Sequence, residues 1–241
     1  EFGILFAIPL WLQNVLLLTP IESGVVLLWL AGGAFLASGV TGGLSGKVSP
    51  KVLVQGGVAL ELVGAVGIAL FANTEAGMWS IAPFLFVYGI GVGMATAQLT
   101  GVIMVDVPMD KIGQASGSQS TVRQVGSALG IAVLGTMLFT GVQSSLETRI
   151  GTQVTDEVQS AKIVELVVDS AGGVIPGLTD LLQSPATGAP LSPEVAKQIT
   201  EDAGQAFTDG AKSSAWAAAA FLLLGLISTF NIGSAKAKTP A

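Results

Sequence analysis

One acidic residue, Glu61, lies at the centre of an apolar run, VLVQGGVALELVGAVGIALF, at residues 52 to 71. An ionised carboxylate at the middle of a bilayer costs at least about 3 kcal/mol, so such residues mark a buried partner, an ion path or a proton site. Burial favours the neutral acid, and a carboxyl group there could therefore load and release a proton. The alternative is a protonated glutamate that hydrogen-bonds to a neighbouring helix.

Two neighbouring amide side chains, Gln13 and Asn14, lie near mid-depth of the first apolar run. They follow Pro9, which lacks a backbone N–H and should kink the helix. The two amides could line a cavity, or they could form hydrogen bonds with neighbouring helices. The sequence is compatible with either role.

Arg123 lies about ten residues into the fifth apolar run, close enough to the surface for its side chain to reach the interface. The helical face that it occupies is polar and also carries Ser116, Ser120 and Ser127. A cytoplasmic gate, a contact with an anionic group and a structural ion pair all fit this pattern. Nearby, Asp106 and Asp110 flank Pro108 and are typical of a solvated turn.

The composition of the chain indicates the class of protein that holds these residues in place. The chain has 241 residues, of which 51% are hydrophobic and 11% charged, and it has no cysteine and no histidine. This balance indicates a membrane protein, and it excludes disulfides, Cys or His metal sites and imidazole proton relays. The few scattered basic residues argue against nucleic-acid binding. No nucleophile and base pair, phosphate loop or metal cluster indicates an enzyme or a cofactor.

Six apolar segments are long enough, or nearly so, to cross a bilayer as helices. They lie at about 2–19, 25–46, 52–71, 79–105, 114–142 and 214–233. The first four connections are short and carry turn residues. The fifth, residues 143–213, is polar and predicts two helices, at 154–170 and 192–207, the second with Ser192 as N-cap and Pro193 at its first position.

Charge assigns the sides of the membrane, because lysine and arginine concentrate in short cytoplasmic loops. The second and fourth connections and the terminal tail share one side and carry Lys47, Lys51, Lys111, Lys236 and Lys238. The long connection holds four basic and ten acidic residues and lies on the opposite side. The sequence thus predicts helices one to five within 1–142, an extracellular loop at 143–213, a last spanning helix at 214–233 and a cytoplasmic tail at 234–241. Residue 1 then lies at a cytoplasmic end, and the chain is expected to be a fragment.

Small residues spaced four apart predict close helix packing in lipid. Such pairs are Gly39 and Gly43, Gly42 and Gly46, Gly89 and Gly93, and Gly126 and Gly130. Glu61 shares its helical face with Gly57, Gly64 and Ala65, which indicates that it points toward other helices.

Four stretches resemble one branch of the major facilitator superfamily, the drug:proton antiporters with fourteen spanning segments. SGSQSTVRQVGSALGIAVLGT at 116–136 is similar to a signature of these exporters, PLWLQ at 9–13 to their ninth helix, and GVGMATAQLTGVIMVDVP at 91–108 to their twelfth. GGLSGKVSPKVL at 42–53 is similar to the superfamily's cytoplasmic loop, with Gly46 in place of the loop's aspartate.

This resemblance implies an all-α integral membrane fold, in which the six helices form the C-terminal half-bundle of a transporter in the cytoplasmic membrane. Its partners would be the lipid bilayer and the missing N-terminal half, and substrate would bind near the midplane between the halves. Glu61 would then couple proton and substrate, and Gln13 and Asn14 would line the cavity. Arg123, Asp106, Lys47 and Lys51 would close the cytoplasmic side.

The expected function is proton-coupled export of small hydrophobic molecules, with cationic ones among the candidates. A lipid or cell-envelope precursor exporter of the same fold is a close alternative, and a non-transporting membrane scaffold or sensor is a more distant one.

Overall fold

The computed structural model describes residues 1–44, 47–75, 79–104, 107–185 and 189–230. Within these ranges every regular element is helical. The helices are α1 (Phe2–Asn14), α2 (Pro20–Leu44), α3 (Pro50–Phe71), α4 (Ala82–Met104), α5 (Ile112–Ile150), α6 (Glu157–Asp169), α7 (Leu178–Leu182) and α8 (Pro193–Phe230). Two 3₁₀ turns, Met109–Lys111 and Ile175–Gly177, lead into α5 and α7.

The described residues contain five helices that are long and apolar enough to cross a membrane, namely α2, α3, α4, α5 and α8. The first apolar segment forms the shorter helix α1, which ends at Asn14 rather than near residue 19. The chain leaves the helix through Leu17, whose φ of 56° places it in the left-handed region. A capping box then starts α2, because the Glu22 carboxylate accepts hydrogen bonds from the backbone N–H and the hydroxyl of Thr19 at 2.8 and 2.9 Å.

The helices pack as a bundle in which α4 lies between α2 and α3, while α8 contacts α3, α5 and α1. Small residues permit the closest approaches. A methyl group on Gly89 or Gly93 would collide with a backbone carbonyl of α2, and one on Gly57 would lie 2.7 Å from the backbone N of Ala95. The predicted contact face at Gly89 and Gly93 is therefore confirmed.

Two other predicted glycine pairs make no close contact within the part of the chain that the structure describes. Space is open beside Gly39 and Gly43 on α2 and beside Gly126 and Gly130 on α5. For these two pairs the packing prediction is wrong, because no helix of the described chain lies on those faces. Gly46, the second member of another pair, lies outside the described residues.

The adjacent glycines Gly32 and Gly33 test the role of this packing. A β-carbon at Gly33 would meet the backbone of Phe86 and lie 3.0 Å from the backbone N of Ile90, whereas Gly32 has nothing within 4 Å. We expect Gly33→Ala to lower the free energy of unfolding by about 1–3 kcal/mol through overpacking. Gly32→Ala, which adds the same methyl group one residue away in open space, should keep or slightly raise it, because alanine favours a helix over glycine. Thermal unfolding in detergent checks this pair, and equal stability of the two variants would contradict the described α2–α4 contact.

The described residues of 143–213, namely 143–185 and 189–213 and called the cap below, form a helical unit on extensions of α5 and α8. These helices have 39 and 38 residues, so each exceeds the roughly 20 residues that span a bilayer. The apolar core of the bundle continues into the cap, among α6, α7 and the start of α8, where six side chains are fully buried: Ile163, Val167, Leu178, Leu182, Ile199 and Phe207.

Both helices predicted in the cap are present, as α6 and the first part of α8. Asp156 caps α6 by accepting a hydrogen bond from the backbone N–H of Val158 at 3.0 Å. However, α8 continues without a break from Pro193 into the last apolar segment, where the sequence predicted two separate helices. Gly210 lies in the region of the expected break and serves there as a contact with α5, because a β-carbon on Gly141 would lie 2.9 Å from its Cα. That the cap lies outside the membrane stays a prediction.

Candidate functional site

Glu61 lies inside the bundle, at the twelfth position of the 22-residue helix α3. Its side chain is 8% exposed, and Gly57, Gly64 and Ala65 on the same face are also buried. Gly91 of α4 packs against it, since a β-carbon there would lie 2.5 Å from the backbone N of Glu61 and 2.7 Å from its Cγ. The face predicted for Glu61 is thus confirmed, and its role as a proton and substrate site stays a prediction.

The carboxyl group of Glu61 has no ion pair among the described residues. At this level α4 presents Gly91, which brings no charged group to the carboxyl. A carboxyl group in such a position is stable mainly as the neutral acid, because an unpaired charge away from water is costly. Proton uptake and release at Glu61 would therefore require access from a neighbouring cavity.

Tyr88 of α4 is a second buried polar group near Glu61 that the sequence reasoning missed. Its side chain is fully buried, its hydroxyl has no hydrogen-bond partner within the described ranges, and it lies within electrostatic reach of Glu61. Gly64, one turn from Glu61, contacts it, with a β-carbon there 2.6 Å from the Cβ of Tyr88. The available signal was composition, since Tyr88 is the chain's one tyrosine.

The two amides of α1 end up in different surroundings. Asn14 reaches the cap, where its side-chain nitrogen donates a 2.9 Å hydrogen bond to the carbonyl oxygen of Ala171. Next to it on α1, the buried indole N–H of Trp11 donates to the hydroxyl of Thr208 on α8 at 2.9 Å. Gln13 is half-buried. A hydrogen bond to a neighbouring part of the structure, one of the two roles considered for Asn14, is therefore present. Cavity lining by Asn14 or Gln13 stays a prediction.

Arg123 lies on the half of α5 that has few neighbours in the described bundle. It is exposed, as are Ser116, Ser120 and most residues from 112 to 131. The Ser127 hydroxyl donates a 2.8 Å hydrogen bond to the backbone carbonyl oxygen of Arg123, not to the arginine side chain. The polar face of α5 around Arg123 is thus largely exposed within the part of the chain that the structure describes.

A cleft of about 440 Å³ opens farther along this side, between α1, α5 and α6. Its lining combines the aromatic rings of Phe6 and Phe139 with polar groups of Thr136, Thr140 and Gln143. The two rings meet edge to face with centroids 6.4 Å apart. A volume of this size with mixed lining is typical of small-molecule sites.

The predicted cytoplasmic gate residues do not form one cluster in the described part of the chain. The Nζ of Lys51 donates a 3.0 Å hydrogen bond to the carbonyl oxygen of Phe230, at the end of α8. Lys47 lies in the exposed turn before α3, where its backbone N–H bonds the carbonyl of Leu44 at 2.8 Å. Asp106 lies outside the described residues. A gating role for these residues and Arg123 stays a prediction.

An ion-pair network that sequence reasoning missed joins α5 to α8 within the cap. The guanidinium of Arg149 contacts Asp209 at 3.0 Å, Asp202 at 3.7 Å and the side-chain oxygen of Gln205 at 2.6 Å. Ser145 donates to the same Asp209 oxygen at 2.9 Å. Two carboxylates that share one arginine hold the extended ends of the two helices together.

We expect Arg149 and Asp209 to be energetically coupled. Their side chains are 33% and 43% exposed, so solvent screening should limit the coupling energy to about 1 kcal/mol. A double-mutant cycle with Arg149→Ala and Asp209→Ala, followed by thermal unfolding, measures it. The coupling should shrink at high salt, and strictly additive effects would show that the pair does not hold α5 to α8.

The buried carboxyl group, the apolar helices and the open polar face define a multi-pass membrane protein, and comparison with known proteins identifies its family. The Major Facilitator Superfamily profile matches residues 1–131. This chain therefore belongs to the Major Facilitator Superfamily.

Curated relatives of the chain are named as efflux and resistance proteins. It is 29% identical over 181 residues to the multidrug resistance protein Stp of Mycobacterium tuberculosis, covering 73% of this chain and 33% of that protein. It is 29% identical over 221 residues to the multidrug efflux pump LfrA of Mycolicibacterium smegmatis, covering 92% and 40%. It is 32% identical over 136 residues to the tetracenomycin C resistance and export protein of Streptomyces glaucescens, covering 56% and 25%.

The chain thus spans a quarter to two fifths of the length of these relatives. No solved structure matches it.

Proposed function

We propose that the chain is the C-terminal half of a proton-coupled exporter, which moves hydrophobic small molecules, cationic ones included, out across the cytoplasmic membrane. The observation that carries this proposal is a carboxyl group buried at mid-helix without an ionic partner among the described residues, in a chain whose relatives are named for drug efflux. A carboxyl group at this depth can hold either a proton or the positive charge of a substrate, but not both.

In this mechanism, uptake of a proton by Glu61 neutralises the site and releases a cationic substrate on the outer side. Loss of the proton to the cytoplasm restores the charge that attracts the next substrate. The cleft between α1 and α5 supplies aromatic and hydroxyl contacts, and the missing half of the transporter closes it from the opposite side. The exposed polar face of α5, including Arg123, supports this placement because lipid would not solvate it.

The proposed orientation puts the turn with Lys47 inside and the cap outside. The bond between Lys51 and Phe230 places the start of α3 and the end of α8 at one end of the bundle. The bond between Asn14 and Ala171 places the end of α1 and the cap at the other. Both agree with lysine-rich connections on the cytoplasmic side.

The test uses the complete transporter in proteoliposomes loaded with a fluorescent lipophilic cation. Imposing a pH gradient should drive dye movement against proton flow, and nigericin, which collapses the gradient, should stop it. Dye movement that is unaffected by nigericin would contradict proton coupling, and no movement of any lipophilic cation would contradict the substrate class.

A further inference from the structure

A second cleft lies at the cap end of the bundle, away from Glu61. It encloses about 450 Å³ between the end of α1, the connection after α3, the turn before α7 and the start of α8. Its apolar wall is formed by Val15, Leu17, Ile175 and Pro176. This volume is in the range that holds a drug-sized molecule.

The charged groups that line this cleft are both acidic. Glu75 and Glu201 contribute to its wall, and no lysine or arginine is among its described lining residues. Lys197 approaches Glu201 at 3.8 Å, but these side chains are 75% and 64% exposed, so this pair neutralises little. The cleft therefore attracts positive charge.

Basic side chains line an adjoining cleft of about 270 Å³, whose wall also includes Glu75. Arg149 is paired there with Asp202 and Asp209, and Lys212 is the other basic residue. The paired arginine does not cancel the two carboxylates of the first cleft. In addition, the whole cap carries ten acidic and four basic residues.

Two residues beside the first cleft, at the junction of α1 with the cap, have a strained backbone. Leu17, which lines it, has a φ of 56°, and Ala171, the residue that binds Asn14, has a φ of 52°. Residues other than glycine rarely adopt this conformation, and they keep it only where surrounding contacts enforce it. The junction of α1 with the cap is thus built to a fixed shape.

We propose that the 450 Å³ cleft is an outer binding site for an amphipathic cation, the exported molecule on its way out. The apolar body lies on Leu17, Ile175 and Pro176, and the positive charge faces Glu75 and Glu201. This inference rests on the proposed function for its orientation and substrate class. The site differs from the midplane site in position and in using two carboxylates near water.

Cysteine protection tests the cleft locally and needs no transport. The sequence has no cysteine, so Thr74→Cys places a single thiol of this chain in the cleft wall, and Val158→Cys places one on the exposed face of α6. In the complete transporter, with any cysteines of the remainder replaced, tetraphenylphosphonium should slow maleimide labelling at Thr74→Cys at least about fivefold. It should leave Val158→Cys unaffected.

Three further comparisons separate the effect of the ligand's charge from the effect of the cleft's shape. Tetraphenylborate, an anion of the same shape, should protect poorly. Adding Glu75→Gln and Glu201→Gln should raise the phosphonium concentration needed for half protection by about tenfold, whereas Glu157→Gln with Glu194→Gln, two acids of the cap outside the cleft, should not. Gly204→Leu should abolish protection by filling the cleft, where the nearest atom to a β-carbon is 3.7 Å away.

If tetraphenylphosphonium does not slow maleimide labelling at Thr74→Cys, the proposed site is wrong. If tetraphenylborate slows labelling equally, the proposed preference of the site for cations is wrong. Because labelling is independent of the pH gradient, failed dye transport with intact protection would contradict the proposed function alone.

Discussion

Replacing Glu61 with glutamine should reduce export driven by a pH gradient at least about tenfold, with normal insertion and folding. Glutamine has nearly the same volume and keeps hydrogen-bonding capacity, so the packing of α3 against Gly91 should survive. It cannot take up or release a proton, and the step that alternates proton and substrate is lost. Dye efflux from proteoliposomes with an imposed gradient measures the effect.

The matched control is Glu61→Asp, which keeps the acid but shortens the side chain by one methylene group. This variant should retain part of the activity, because the proton site remains while its geometry shifts. If Glu61→Gln exports dye as fast as the unchanged protein, Glu61 is a packing residue and the proton site lies in the missing half.

Residues 1–241 alone should show no export. The chain corresponds to about a third of Stp, and the exposed half of α5, with Arg123 and open glycines, has no covering helix among the described residues. A transport pathway with one wall cannot alternate between two openings. The measurement is dye efflux by the purified fragment beside the complete transporter in equal amounts.

Coexpression of the fragment with the remaining part of the transporter, as two separate chains, should restore export. This control shows whether the fragment is folded correctly when it is inactive alone. Gradient-driven efflux by the fragment itself would contradict the half-transporter proposal.

Five of the six predicted spanning segments form helices long and apolar enough to cross a membrane, because a long apolar run is compatible with few other structures. The first segment forms the shorter helix α1. The buried face of α3 followed from Gly57, Glu61, Gly64 and Ala65 at helical spacing, and burial confirms it. The same spacing rule was wrong for Gly126 and Gly130. A small-residue pair indicates that some helix approaches, but it does not say whether that helix belongs to this part of the chain.

The cap was predictable in its helices but not in its connections. The sequence predicted one helix that ends at residue 207 and another that begins at 214, whereas α8 is continuous there and Gly210 provides the close approach to α5. The Arg149 network depends on residues 53 to 60 positions apart in sequence becoming neighbours, which no local pattern encodes. Tyr88 went unnoticed because an aromatic residue in an apolar helix is usually a packing residue.

Competition between proton and substrate at Glu61 can be measured directly with the complete transporter in weakly buffered detergent solution. Adding a lipophilic cation to the protein, with a pH indicator present, should release protons as the cation binds at Glu61. In Glu61→Gln this release should disappear, with cation binding followed separately by equilibrium dialysis. Equal proton release from Glu61→Gln and the unchanged protein, or cation binding without any release, would contradict Glu61 as the coupling site.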